Sequence, residues 1–442
     1  MNEQGAIPVR ERSGTLGWKT LAMLGIAFAG SGCFSPWSYG IDAAGWGGML
    51  AAFAVVAAFY LCLLLCMAEL ASAIPSAGAG QAFASRAFGP AVGFFAGSAS
   101  LIQYVCGTSA LGLLLASYLQ ALTGIDLQVA IVALYVLVVA IHARGVAESA
   151  TLTIVLSLLA IGGVLLFLGT IGIAILGRAH TAAPGAPIQL AATWTALPFV
   201  VGLLLGLEGV PFAAEEARDP ARDLPRALFA ALGITVLLAA MVLVLGPLGA
   251  GTAALHGADA PMLAALSASG VRAAPWILVT VNAAGLCGIG VAFFSSVFGY
   301  SRQVAAMAGD RELPAFLGRV SRRNVPVYAL VVPSALGMLV ALSGRLDQLI
   351  VLMVFAGAIS YLMIFATFLA LRARQPHLHR PYRLAAGRAV AALGIVLGAF
   401  IFSACIASDP RWSLYGAAML AALLLYRVAT AGKKSSFVPP SQ

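Results

Sequence analysis

Residues 202–211 read GLLLGLEGVP, with three glycines, an acid and a proline inside an apolar run over 191–214. A helix crossing about 30 Å of hydrocarbon needs about 20 apolar residues, and a carboxylate at its middle is costly unless it faces protein or water. Glycine loosens a helix and proline removes a donor, so this span is expected to break around Glu208. A second such place is Ala29-Gly30-Ser31-Gly32 in the run 16–41, with Pro36 behind it. Non-helical backbone at this depth survives only when buried or lining a cavity. Its free N–H and C=O groups suit ions and polar solutes.

The rest of the chain fits such spans. Of 442 residues, 61% are hydrophobic and 9% charged, against roughly 25% charged in a soluble domain. Further uncharged stretches lie at 46–68, 87–125, 127–141, 149–177, 227–255, 273–301, 324–344, 348–371, 389–408 and 412–426. With the two breakable runs they make twelve expected spans, 127–141 and 412–426 being the shortest. Continuous apolarity excludes lipid-facing β-strands, which alternate. The first apolar run is too long for a signal peptide core and is expected to stay as a helix.

Twelve spans starting inside put 21 of the 25 Lys and Arg on the cytoplasmic side and leave Arg178, Arg272, Arg345 and Arg411 outside. This positive-inside asymmetry predicts both termini in the cytoplasm of a cell inner or plasma membrane. The net charge of +9 then faces anionic lipid headgroups, and no nucleic acid is needed to explain it. Pairing spans one to five with six to ten puts the two breaks at corresponding positions. Because five is odd, the second set runs the opposite way through the membrane. The expected fold is all-α and polytopic, an inverted five-plus-five helix repeat with two extra C-terminal helices. Its parts are an N-terminal tail 1–15, repeats 16–177 and 191–371, peripheral helices 386–430 and a C-terminal tail 431–442.

Glu208 is the one carboxylate well inside a run; Glu69 lies near an end. No Lys or Arg inhabits the interior of the spans to pair with it, Lys19 standing at the cytoplasmic start of the first. Three roles stay open: binding a cationic amine, carrying a proton, or capping the break through backbone N–H groups. The polar company in the spans is Ser31, Ser35, Gln103, Tyr104, Thr108, Asn282, Ser295, Ser296, Tyr300 and Tyr361. Ser295 and Ser296 offer hydroxyls to a small cation or serve as packing serines. Trp37, Tyr39 and Trp46 read first as interfacial anchors, with a gating role for Trp37 second. The loops 213–228 and 300–330, carrying Arg218 and Arg302, read as gating parts or as solvated connections. In the first, Asp223 is expected to cap a helix with Pro225 in its first turn. In the second, Leu313 to Val320 is expected to form an amphipathic helix. No HExxH, CxxC, GxSxG or Walker motif appears, and the scattered Cys read as buried small residues, so no enzyme, cofactor or metal site is expected.

The chain resembles the amino acid–polyamine–organocation permeases, and more narrowly their ethanolamine-permease-like branch. The resemblance rests on AELASAIPSAGAGQAFASRAFGP at 68–90, EGVPFAAEEARDPARDLPRAL at 208–228 and YSRQVAAMAGDRELPAFLGRVSRRNVPVYAL at 300–330, with the broken first span. It implies a secondary transporter for a small amine or amino acid, ethanolamine first and a neutral amino acid second. Against it stand a channel or a membrane-embedded interaction protein, which one Glu and two breaks support less well. The resemblance implies substrate contacts at Ala29, Gly30, Ser31 and Gly32, whose N–H groups would hold a carboxylate. It also implies Gly206, Leu207, Glu208 and Gly209, whose carbonyls would receive the amine. Gln103, Tyr104 and Asn282 complete the expected site. Ser295 and Ser296 match the hydroxyls of a sodium site in distant relatives. The lysine that some proton-driven relatives keep in span five is absent from 149–177. Coupling to proton or sodium, and monomer against homodimer, stay open.

Overall fold

The computed structural model describes residues 16–29, 31–76, 78–145, 150–177, 190–270, 275–321 and 325–434. Gly30, both ends of the chain, and Arg178, Arg272, Arg322 and Arg323 lie outside them. Among the described residues nine helical segments are long and apolar enough to cross a membrane, and two further apolar helices are shorter.

The first half holds α1 (Trp18–Ala29), α2 (Ser38–Ala73), α3 (Ala79–Phe88), α4 (Pro90–Thr123), α5 (Leu127–Ala143) and α6 (Ala150–Leu176). The second holds α7 (Leu190–Leu204), α8 (Pro220–Ala250), α9 (Pro261–Ala268), α10 (Pro275–Gly309), α11 (Val327–Ala341) and α12 (Leu346–Arg374). Two helices follow, α13 (Gly387–Ser408) and α14 (Pro410–Lys434). Boundaries follow local chemistry. Asp126 caps α5 by accepting from the N–H groups of Gln128 and Val129, and Gly124 ends α4 in a left-handed conformation. Within α2 the backbone leaves helical geometry at Gly45, so its first turns belong to span one and the rest to span two.

Packing between the halves is reciprocal. The start of span one, α1, packs on α8, as α7 packs on α2; α4 packs on α12, as α10 packs on α6. Exchanging the halves maps each contact onto its partner, as two copies of one five-span unit require. The core is a continuous apolar cluster through both halves. Large apolar side chains remain on the outer faces, among them Leu158, Ile173, Leu393, Val396 and Leu425. Such a surface suits lipid and not water.

Three sequence expectations need correction. The run 87–125 is divided by Gly89, with α3 before it and α4 after. Residues 313–320 form only a 3-10 turn at Ala315–Gly318; Pro314 and Gly318 leave too few residues for a nucleated helix. The helix expected to be capped at Asp223 starts earlier, with Pro220 in its first turn after Asp219. Asp223 instead reaches back from the first turn to accept the Asp219 N–H at 3.2 Å.

Candidate functional site

The α1 helix stops at Ala29, and a 3-10 turn occupies Gly32–Phe34 before α2 begins. The α7 helix stops at Leu204, Gly206 turns through φ 104°, and Leu207–Glu216 continues as a 3-10 segment. Only glycine takes the Gly206 conformation without strain. The two interruptions lie against each other. A Cβ on Gly32 would sit 2.0 Å from the carbonyl oxygen of Leu203, so only a bare glycine backbone allows this approach.

Three neutral donors hold Glu208. One carboxylate oxygen accepts from Gln103 Nε2 at 2.8 Å and from the Tyr361 hydroxyl at 2.5 Å, and the other accepts from the Gly206 N–H at 3.0 Å. Gln103 Nε2 also donates to the Tyr361 hydroxyl at 2.7 Å, and the Tyr60 hydroxyl stands 3.3 Å from it. The acid is 6% exposed, and its partners come from α4, α12 and its own turn. Burying it this way meets its acceptor demand without a basic side chain.

Next to this network is a cavity of about 50 Å³, room for about three or four waters. Ser31, Gln103, Tyr104 and Ser296 line it, with Phe199 and Met353 among the apolar wall. The Tyr104 hydroxyl is buried with no hydrogen-bond partner among the described residues. The structure thus brings four of the predicted residues to one cavity and joins Glu208 to it through Gln103. Gly32, Gly206, Leu207 and Gly209 form the flanking turns; the Gly209 N–H donates to Gly206 O at 2.8 Å. Ala29 ends α1. Ser295 and Asn282 are buried on α10 but do not line the cavity.

Sequence reasoning placed Tyr361 only in the general polar company and did not single out Tyr60. An intramembrane tyrosine opposite a lone acid is the available signal, but its position is fixed only by packing of the halves.

The tryptophan expected as an interfacial anchor is not at an interface. Trp37 is fully buried and donates from Nε1 to Cys33 O at 3.2 Å, because the 3-10 turn needs its carbonyl satisfied. Beyond it, the start of α2 is clasped by the segment before α9. Ser38 Oγ donates to Ala258 O at 2.6 Å, Tyr39 bonds Asp259, and Asp42 takes His256 Nδ1 and the Gly257 N–H, each at 2.9 Å. At the opposite end Arg302 pairs with Glu216 at 3.3 Å. Leu16 bonds the backbone beside it, its N–H to Glu216 O and its carbonyl from the Arg218 N–H. The Arg218 side chain is exposed.

Comparison with known proteins agrees with this geometry. The family profile described as amino acid permease matches residues 16–425. The branched-chain amino acid permease BcaP of Bacillus subtilis is 26% identical over 411 residues, 87% of each chain. An uncharacterised transporter of Mycobacterium tuberculosis is 31% identical over 330 residues, 72% of each chain. Among solved structures, a nucleobase-cation-symport-1 family transporter, closed with bromovinylhydantoin bound, superposes with TM-score 0.54 at 16% identity. That likeness spans 93% of this chain and 96% of the other. It extends to the inverted five-plus-five packing of the helices.

Proposed function

The chain belongs to the amino acid permease family, and on that premise we propose that it moves a small neutral amino acid across the membrane by alternating access. The observation that carries this reading is the cavity beside the two helix interruptions. It is small, mostly apolar in its walls, and bordered by Tyr104, whose buried hydroxyl has no hydrogen-bond partner among the described residues. A buried polar group without a partner is costly, and a polar guest removes that cost. The volume favours a solute of alanine or serine size over a larger side chain. The named activity of the Bacillus relative supports an amino acid as the substrate class.

In this reading the turn at Ser31 and Gly32 receives the carboxylate, and the carbonyls near Gly206 and Leu207 receive the ammonium. Glu208 acts on it through Gln103. Spans one and six are the broken helices of a twelve-span chain. Residues 16–177 and 191–371 are its repeats, and both termini are cytoplasmic. Ser296, with Ser295 behind it, is the hydroxyl site for a coupling ion, sodium or proton. Ethanolamine is a second reading, favoured by the lack of any basic partner for Glu208, since an amine alone offsets that charge.

Uptake by protein reconstituted in liposomes, with alanine, serine, leucine and ethanolamine under imposed sodium or proton gradients, tests this. Alanine or serine should be taken up fastest. Uptake of ethanolamine with no amino acid uptake would reverse the order, and uptake of none would refute transport of this class. For the orientation, cysteines placed at Ala254 and Ala315, both exposed, should label from opposite sides, Ala254 from outside.

A further inference from the structure

At the ends of α12 and α13 lies a recess of about 490 Å³, lined by Arg372, Arg380, Arg383 and Arg388 together with Ala386 and Gly387. Among the described residues its lining holds no acidic side chain. One carboxylate stands behind it. Glu69 accepts from Arg372 at 2.9 and 2.5 Å, pairs with Arg380 at 3.2 Å, and takes the Leu384 N–H at 2.8 Å. Four guanidinium charges thus meet a single carboxylate, which leaves a surplus of three.

The surplus is concentrated on the two outer arginines. Arg383 and Arg388 are exposed and have no ion pair or hydrogen bond among the described residues. Arg372 and Arg380 are fixed in place. Arg372 also donates to Leu384 O, and Arg380 donates to the carbonyls of Leu371, Gln375 and Leu378. Burial first, then the like charges of Arg372 and Arg383, holds the Arg380 guanidinium below its ordinary value despite Glu69. The wall at Ala386 and Gly387 is the start of α13, a 22-residue helix. The Ala389 and Val390 N–H groups bond the Ala386 carbonyl at 2.9 and 3.1 Å, which leaves those of Gly387 and Arg388 at the helix start. Rigid guanidiniums, two uncommitted ones and a helix start converge on one recess, a donor set suited to phosphate oxygens. Its level is that of the headgroups, since one span ends and the next begins there.

We propose that this recess binds a phosphate group at the membrane surface, carried by an anionic phospholipid headgroup or present as free phosphate. The site is separate from the cavity of the transport reading, and its test needs no transport. Protein in nanodiscs of phosphatidylcholine alone, or with phosphatidylglycerol, is released and its retained lipid counted by native mass spectrometry. A parallel sample in phosphatidylcholine receives millimolar inorganic phosphate, and its thermal midpoint is followed.

Wild type should retain phosphatidylglycerol over phosphatidylcholine. The double variant Arg383→Gln with Arg388→Gln should lower that preference about tenfold or more, the factor expected for two cations at a membrane surface. Both side chains are exposed, and Arg388→Gln alone should give a smaller loss in the same direction. A rise in thermal midpoint with inorganic phosphate, lost in the double variant, assigns the site to the free ion as well; no rise assigns it to lipid. Equal retention of the two lipids with no phosphate-dependent rise overturns the proposal. So does a preference that survives the double variant.

Discussion

Around residues 32–34, side-chain donors come to backbone carbonyls: Ser35 Oγ to Gly32 O at 2.7 Å, Trp37 Nε1 to Cys33 O at 3.2 Å, and the Tyr118 hydroxyl to Phe34 O at 3.1 Å. Around residues 206–208 the direction is reversed. A side-chain carboxylate accepts from the backbone N–H of Gly206, and from a glutamine and a tyrosine of other helices. At the first interruption side chains occupy the carbonyls, and at the second a side chain occupies an N–H, with Gly206 O also accepting from the Gly209 N–H. What remains to meet a guest is weighted toward donors at one and toward acceptors at the other. This is the polarity that the proposed reading needs, in which a zwitterion sets its negative end at the first and its positive end at the second.

The sharpest attack on this contrast is Gly32→Val. Its Cβ would fall on the Leu203 carbonyl, which belongs to backbone and cannot swing away. The two interruptions should separate, and solute binding should be lost while the protein still inserts. Normal binding by calorimetry would show that their close contact is not needed. Next is Glu208→Gln. The charge reaches the solute only through the Gln103 amide, so its loss should stand at the low end of a charge-assisted hydrogen bond, about 1.5 kcal/mol, and affinity for an amine-bearing solute should fall roughly tenfold. Unchanged affinity between pH 5.5 and 8.5 would leave Glu208 as a cap on its own turn.

Gly206→Ala probes the same interruption through the backbone. A left-handed residue with a Cβ costs about 1–2 kcal/mol, so the thermal midpoint should drop modestly. If Gly206→Ala proves as damaging as Gly32→Val, the two glycines do not differ in kind. The smallest effect is expected for Tyr361→Phe, which removes one donor from Glu208 at about 1 kcal/mol and should weaken binding about fivefold. An effect larger than that of Glu208→Gln would make the tyrosine, not the acid, the centre of the network.

The spans were legible because unbroken apolar runs of about 20 residues belong almost exclusively to helices that cross a bilayer. Glu208 stood out for the same reason: a charge in such a run must have a partner or a use. Those partners were not legible. Tyr361 is 153 positions from Glu208 and Gln103 is 105, and no spacing rule along one helix relates them. The clasp of Asp42 on His256 and the ion cluster of Glu69 also join residues far apart in sequence. Trp37 was misplaced because tryptophan near a span end usually marks the headgroups. Here the first helix has already turned, and the ring packs against Gly246 of α8. The helix expected at 313–320 failed on local grounds, since an amphipathic pattern between a proline and a glycine is too short to nucleate.

Gln103 both lines the cavity and holds Glu208, and its amide nitrogen has two hydrogens to give. One goes to the Glu208 carboxylate and the other to the Tyr361 hydroxyl. Nothing is left on that nitrogen for a guest, so toward the cavity Gln103 can act only through its oxygen. The buried charge is presented second-hand, by a neutral amide whose dipole it orients. In the proposed reading an arriving ammonium group would meet a polarised carbonyl, with the Glu208 carboxylate one hydrogen bond behind it.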